Sequence, residues 1–473
     1  MRLISDRPFA LEGLCKWLSV LLLATLVPSR AFAQTVPLPP IQSLSGICAE
    51  DIKGIPARGP GTAVLIARRG ELICAAARGM ASIELGVPLD PHQRFRIGSV
   101  SKQFAAAALL KLVDQGRASI DDPLAKYLPD YPNAGQITLH QLLNHTSGVH
   151  SYTDIDGYMH TPVRSDLDTQ QLIRVFADIP LDFAPGSEWK YSNSGYVLVG
   201  AVIEKITGKP WGAALDELLF KPLKLADTAY EDPSRLWPGL VQGYVFDAQH
   251  APQPAEFISM TQPGAAGALI STVYDLWRWN EALHGGGVLS QSSYHLMTTP
   301  EGAASGSARY GFGISVRSVR GRTCFEHAGG INGFRARLVY LPESGTTVVQ
   351  LNNHEDTAKA AHELAARAIG DPYPELPLVA WSEQSLQATQ GRYANEDANA
   401  KLSYREGRLY WQQQGSADVE LRPSSGERLA FVDSVDWMKL ERDDKGKLIG
   451  VRVFAGGEGP GVLLLRLADV PLK

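Results

Sequence analysis

Ser99 and Lys102 stand three residues apart in Arg96-Ile-Gly-Ser-Val-Ser-Lys102, a spacing that puts both side chains on one face of a helix. A hydroxyl beside an amine is the minimum equipment of a self-activated nucleophile. The following run, Phe104 to Val113, is almost wholly apolar, so the helix it forms is buried rather than laid on the surface. Burial disfavours the ammonium and draws a lysine down from about 10.4 toward the range of a working base. Unpaired N–H groups at the helix start favour negative charge developing at the serine. The same pattern recurs at Ser187-Glu-Trp-Lys190, but that copy follows the turn signal Pro185-Gly186 and is not itself the start of a buried helix. Context therefore selects Ser99. The plain alternative is an N-cap serine followed by an exposed lysine.

A serine–lysine pair also needs a proton route to the leaving group and a site for the oxyanion. Lys190-Tyr191-Ser-Asn193-Ser-Gly-Tyr196 precedes an apolar helix, and residues at a helix entry are well placed to aim a phenol and an amide into a cleft. The competing reading of Asn193 is a cap. Glu326-His327-Ala-Gly329-Gly330 follows a strand, where glycines let a substrate backbone lie close and expose N–H donors. The competing reading there is a glycine-rich turn. Each motif alone is weak, because Tyr-x-Asn recurs at Tyr131 and Tyr393 and His-x-Gly at His284.

In order, Ser99-Val-Ser-Lys102, Tyr191-Ser-Asn193 and His327-Ala-Gly329 resemble the signature set of the serine β-lactamase-like superfamily. The branch is that of class C β-lactamases and penicillin-binding-protein-related esterases and D-aminopeptidases. Leu142-Leu-Asn-His-Thr-Ser-Gly-Val149, Ala266-Gly-Ala-Leu-Ile-Ser-Thr272 and Tyr310-Gly-Phe-Gly313 look like its framework segments, and the resemblance spans about residues 45–370. It implies that Ser99 attacks a carbonyl and becomes acylated, while Lys102 accepts its proton or holds the network that does. Tyr191 then shuttles a proton to the leaving group; which of Lys102 and Tyr191 is the base stays open, since coupled groups share their titration. Asn193, His327 and Gly329 are implied to contact substrate, with the backbone N–H groups of Ser99 and Gly330 as the oxyanion hole. Typical β-lactamases carry lysine where this chain has His327, a residue mostly neutral near pH 7, and that departure favours an ester or peptide substrate over a β-lactam.

Three activities follow: an esterase of broad acyl specificity, a D-amino-acid-specific peptidase with weak β-lactamase action, and a sensor of cell-wall fragments that acylates without turning over. Each takes a small ester, amide or peptide, and no cofactor or metal is expected. His140, His145 and His150 recur every five residues without a His-Glu-x-x-His or carboxylate cluster, so they read as structural. Arg335 and Arg337 alternate on a strand leaving the third motif; a solvated strand face is the first expectation, a contact with substrate carboxylate the second.

These groups need a scaffold. Thr62–Ala67 and Leu72–Ala77 flank Arg68-Arg-Gly-Glu71 as a hairpin. Helices are expected over the Ser99 segment (stopping at Gly116), 138–143, 169–177, 196–206 and 272–283, with strands at 310–316, 323–326, 335–341 and 346–351 and a helix at 356–369. Strands at both ends with helices between predict an α+β domain, residues 34–370: one antiparallel sheet flanked by helices, with a helical subdomain. Asp371-Pro-Tyr-Pro-Glu-Leu-Pro377 begins a Pro-rich linker, 371–381. Residues 382–473 alternate in short segments between turns, as in a small all-β barrel, lipocalin-like, or a sandwich. In some members of the family that the chain resembles, an appended barrel reaches over the cleft and shapes specificity, and the resemblance implies the same here.

Arg2, Arg7 and Lys16 precede the apolar Trp17–Val27 stretch and the small-x-small site Ala31-Phe-Ala33. Residues 1–33 therefore read as a secretory signal peptide, with too short an apolar run to span a bilayer. The protein is expected in the periplasm, without a stable membrane span. With 45 Lys+Arg against 50 Asp+Glu and no basic run, nucleic acid is set aside as a partner. Cys48, Cys74 and Cys324 remain after cleavage, enough for at most one bridge.

Overall fold

A computed structural model describes residues 38–467, except 248, 356–358, 375, 396–397, 414–417, 433–434 and 458. The expected leader and the start of the expected 356–369 helix lie outside the described residues. Among the described residues no helix is long and apolar enough to cross a membrane.

The first hairpin forms as β1 (Thr62–Arg68) and β2 (Glu71–Arg78). Four more strands come from the far end of the segment: β3 (Ser315–Val319), β4 (Arg322–Ile331), β5 (Phe334–Leu341) and β6 (Thr346–Asn352). They make one antiparallel sheet in the order β3-β4-β5-β6-β1-β2. The two chain ends meet where β1 pairs with β6, from Thr62 opposite Asn352 to Arg68 opposite Thr346. β1 is buried on both faces, so it reads as a continuous apolar run rather than an alternation. Ala63, Leu65 and Ala67 belong to the larger core with the central helices, while Val64 and Ile66 pack with Leu364 and Ala365 on the other side.

The helices that matter for the site are α1 (Ser101–Asp114), α2 (Asn193–Thr207), α3 (Val273–His284) and α4 (Lys359–Ala368). α1 is buried almost all round, as its composition requires. Trp279 of α3 stacks on Phe104 of α1 with ring centroids 4.2 Å apart. α2 opens on Ser192, whose hydroxyl accepts the Gly195 N–H, and closes on Gly208 at φ +71°, a left-handed cap that glycine adopts without strain. The subdomain helices at Leu139 and Thr169 begin with capping boxes, Thr138 with Gln141 and Asp168 with Gln171.

The strand expected at 310–316 starts later, at Ser315. Tyr310–Gly313 instead forms a turn against α1. Gly313 takes φ +68°, and a Cβ there would lie 2.7 Å from the Lys102 carbonyl oxygen. Cys48 and Cys74 form a disulfide that pins the Ile47–Asp51 helix to β2, and Cys324 is a buried free thiol.

Beyond the sheet, eight strands between Gly391 and Arg466 close into an antiparallel barrel. Pairing of Tyr393 with Arg466 completes the circle, so the sandwich alternative is not the one formed. Tyr393, Leu402, Trp411, Leu429 and Met438 fill the interior, leaving a packed core. The Pro-rich segment is tied down at both ends. Asp371 pairs with Arg320 and Arg322 at the β3–β4 turn, the Ser424 hydroxyl donates to the Pro377 carbonyl, and the Val379 N–H donates to the Pro423 carbonyl.

Candidate active site

Ser99 sits in a single 3-10 turn, Gly98–Val100, that runs straight into α1. Lys102, on the first turn of α1, has no exposed surface. Its Nζ lies 3.1 Å from Ser99 Oγ, 2.8 Å from Asn193 Oδ1 and 2.7 Å from the Ala266 carbonyl oxygen. All three partners are neutral oxygens, and burial pushes the lysine well below its usual 10.5. The Asn193 and Ala266 oxygens can only accept, so the amine donates to both, and its remaining position is directed at the Ser99 hydroxyl.

Asn193 is free for this task because Ser192, not Asn193, caps α2. Asn193 Nδ2 donates to Thr153 Oγ1 at 3.1 Å, and its backbone N–H donates to Ser151 Oγ at 3.1 Å. These two contacts orient the amide so that its oxygen faces the lysine. The Tyr191 ring lies against Lys102, with Nζ 4.8 Å from the ring centroid. Burial raises the Tyr191 phenol well above its usual range, and a hydrogen bond with Ser99 opposes part of that rise.

Glycines of the third motif form strand, not turn. A Cβ on Gly329 would lie 1.9 Å from the Ile97 carbonyl oxygen, and one on Gly98 would lie 2.9 Å from the Gly330 nitrogen. Only glycine permits this backbone-to-backbone packing of β4 on the Ser99 turn. Residues alternate along β4: His327 turns toward Tyr310 and the Tyr191 side, Glu326 toward α4. Both His327 nitrogens are occupied, Nδ1 donating to the Ala328 carbonyl at 2.6 Å and Nε2 accepting from the Tyr310 hydroxyl at 2.8 Å. Burial takes the imidazole down to about 3, so it is neutral and turned inward rather than toward substrate.

Ser99, Asn193, Gly330, Tyr152, Arg335 and Glu355 line one cavity of about 350 Å³. Lys102, Tyr191 and His327 stand behind its wall. Arg335, first expected on a solvated face, pairs with Glu355 at 3.3 Å on this rim. Arg337 lies on the opposite side, where it and His362 hold the buried Glu326 carboxylate at 3.0 and 2.5 Å. Cys324, Glu326 and His362 come within 4.8 Å of one another, but a cation there would meet the Arg337 guanidinium. A larger cavity, about 1050 Å³, opens behind Gly264 and Ala265 and is lined by Trp211, Tyr230 and Trp237. It contains none of the motif residues; Ser99, Asn193 and Gly330 line the smaller one.

Among the described residues, none of the barrel lines this cavity, whose lining ends at Glu355. The barrel docks near Arg322, while Gly330 lies toward the other end of the same ten-residue strand, roughly 25 Å away at about 3.3 Å per residue. The expectation of a barrel over the cleft is thus corrected: its connection is anchored at the β3–β4 turn, the wrong end of β4.

Sequence reasoning missed Thr153, Ser151, the Ala266 carbonyl, Tyr310 and His145 as parts of the site. Tyr310 and Ala266 lie in segments marked as framework. Nothing in the local sequence signals that Ser151 and Thr153 clip onto the start of α2.

The beta-lactamase family model matches residues 49–370, more than half of the chain, and the chain belongs to that family. A D-aminopeptidase of Gluconobacter oxydans is 27% identical over 73% of this chain and 65% of its own length. Esterase EstB of Burkholderia gladioli is 37% identical over 36% of this chain and 47% of its own. The matches thus take in less than two thirds of either relative. An octameric penicillin-binding protein homologue from Pyrococcus abyssi has the same fold, with a TM-score of 0.64 and 22% identity over 90% of this chain and all of its own.

Proposed function

We propose that this protein is an exported hydrolase that opens an ester, amide or peptide bond through a Ser99 acyl-enzyme. The observation that carries the reading is the fully buried Lys102 amine 3.1 Å from Ser99 Oγ, lowered well below its usual range by desolvation. In this reading Lys102 is the base: burial lowers its pKa and so favours the proton-free amine, whereas burial raises the Tyr191 phenol and favours the protonated form. Ser99 Oγ attacks the carbonyl carbon as its proton passes to Lys102. The backbone N–H groups of Ser99 and Gly330 hold the oxyanion, each worth about 10²–10³ in rate. Tyr191 relays the proton to the leaving group, which departs as the acyl-enzyme forms, and water then releases the acid. Asn193 holds the amine and meets the acyl group. Gly329 keeps β4 close enough for Gly330 to reach the oxyanion, and His327 supports Tyr310.

Residues 1–33 would be removed on export to the periplasm, leaving the hydrolase domain at 34–370, a connector at 371–381 and the barrel at 382–473. The Cys48–Cys74 bridge supports an oxidising destination. The Arg335–Glu355 pair on the cavity rim favours a second reading, a D-amino-acid-specific peptidase, because charged peptide ends can exchange with that pair. Both readings are tested by following p-nitrophenyl butyrate and D-alanine p-nitroanilide hydrolysis, with intact-mass spectrometry. Turnover with a trapped adduct on the peptide containing Ser99 is the expected result. Preference for the anilide, lost in Arg335→Ala or Glu355→Ala, would select the peptidase. An adduct that persists without turnover would replace both with the sensor reading, and no adduct at Ser99 would overturn the mechanism.

A further inference from the structure

His145 carries two unfavourable features at one position. It is 1% exposed with φ +64°, a left-handed conformation that side chains with a Cβ rarely adopt. Its Nε2 is buried with no hydrogen-bond partner, although buried polar groups are normally satisfied. Strain and an orphan atom at one residue beside a reactive site point to a function that outweighs them.

What they achieve is visible in the neighbouring chain. The His145 carbonyl accepts the Lys190 N–H at 3.1 Å, and its Nδ1 accepts the Ser192 N–H at 3.2 Å. One residue thus grips the backbone on both sides of Tyr191. Because Nδ1 accepts, the proton of the neutral ring sits on Nε2. The imidazole also lies against the Tyr191 ring, centroids 4.3 Å apart, and is backed by the rings of Tyr310 at 4.7 Å and Tyr196 at 5.2 Å. Tyr310 in turn holds His327, so the imidazole couples the second motif to the third.

We propose that His145 is a positioning residue: its left-handed backbone and its ring together set the Tyr191 phenol at Ser99. The inference rests on the reading of Tyr191 as proton relay. His145 touches neither substrate nor Ser99, and losing it removes no reacting group. It therefore governs kcat rather than KM.

The test is a double-mutant cycle on p-nitrophenyl butyrate, with active sites titrated by the acyl burst. His145→Ala should lower kcat by about 10²-fold with KM within about threefold, the size of effect expected when a proton-transfer group is misplaced. His145→Asn should recover to within about tenfold of wild type, because Asn tolerates the left-handed backbone and its Oδ1 can accept the Ser192 N–H. In a Tyr191→Phe background either change should cost less than about threefold more. Full additivity in the Tyr191→Phe background, or unchanged kcat per titrated site with only a lower melting temperature, would overturn the proposal. Should His145→Ala fail to fold, the Asn variant and its cycle decide alone. A fully active Tyr191→Phe enzyme would remove the relay itself, and with it anything to position; that outcome is distinct from a dead Tyr191→Phe with additive His145 effects.

Discussion

Ser99-Val-Ser-Lys102 and Ser187-Glu-Trp-Lys190 share one pattern and meet opposite fates. Lys102 is fully buried among neutral oxygens and is driven well below its usual range. Lys190 keeps 45% of its side chain exposed, 2.7 Å from Asp182 and 3.2 Å from Asp154. Burial works against its charge, but the hydrogen bonds to the two carboxylates outweigh that and raise its pKa. Ser187 shows the same contrast, its hydroxyl spent on the Ala184 carbonyl, whereas Ser99 faces a cavity and lies 3.1 Å from the Lys102 amine. A four-residue motif specifies which groups are available. The dielectric and the partners decide what they do.

The sharpest way to break this comparison is to remove each serine. Ser99→Ala should reduce kcat by at least about 10⁴-fold, as loss of a nucleophile does, while Ser187→Ala should leave it within about twofold. Comparable losses in the two variants would mean that the pattern, not its surroundings, carries the activity. Next come the lysines. Lys102→Met should cost on the order of 10³ in kcat, and Lys190→Met less than about threefold, measured on the same ester.

The same pair separates activity from stability. Unfolded Lys102 titrates near 10.5 and folded Lys102 well below it. Between those values the unfolded chain holds the extra proton, so the lysine's contribution to stability rises with pH and is smallest below the folded value. Lys102→Met should therefore raise the melting temperature by a few degrees (~2–4 °C per kcal/mol) at pH 7, with a gain that shrinks as pH approaches about 10.5. A melting temperature lowered by this change would show that the amine is held charged by a partner. The smallest effect belongs to the exposed pair: Asp182→Asn should change stability by less than about 1 kcal/mol in chemical denaturation, because exposed ion pairs contribute little. A larger loss would show that the loop before Tyr191 depends on it.

Much of the scaffold was legible. The apolar Phe104–Val113 run, the β1–β2 hairpin and the alternating segments of the barrel are local patterns, and the expected sheet from both chain ends follows from their order. The Ser99, Lys102 and Asn193 cluster was legible through motif order, and their distances agree with that grouping. His145 was read as structural because nothing around it in sequence separates a core histidine from one that grips Tyr191. The barrel's place was misjudged for a related reason: composition shows a barrel, but the contact of Asp371 with Arg320 and Arg322 lies in no local pattern.

By itself, the sequence determined which chemistry is available: a hydroxyl and an amine one helical turn apart, a phenol and an amide at a helix entry, and glycines where two backbones meet. Those are consequences of residue type and short-range periodicity. Only the tertiary structure decided that the Lys102 pKa is driven down while that of Lys190 is raised, that Asn193 orients the amine instead of capping a helix, and that His327 faces Tyr310 rather than substrate. Each depends on desolvation and on partners tens to hundreds of residues away, and a short motif encodes neither.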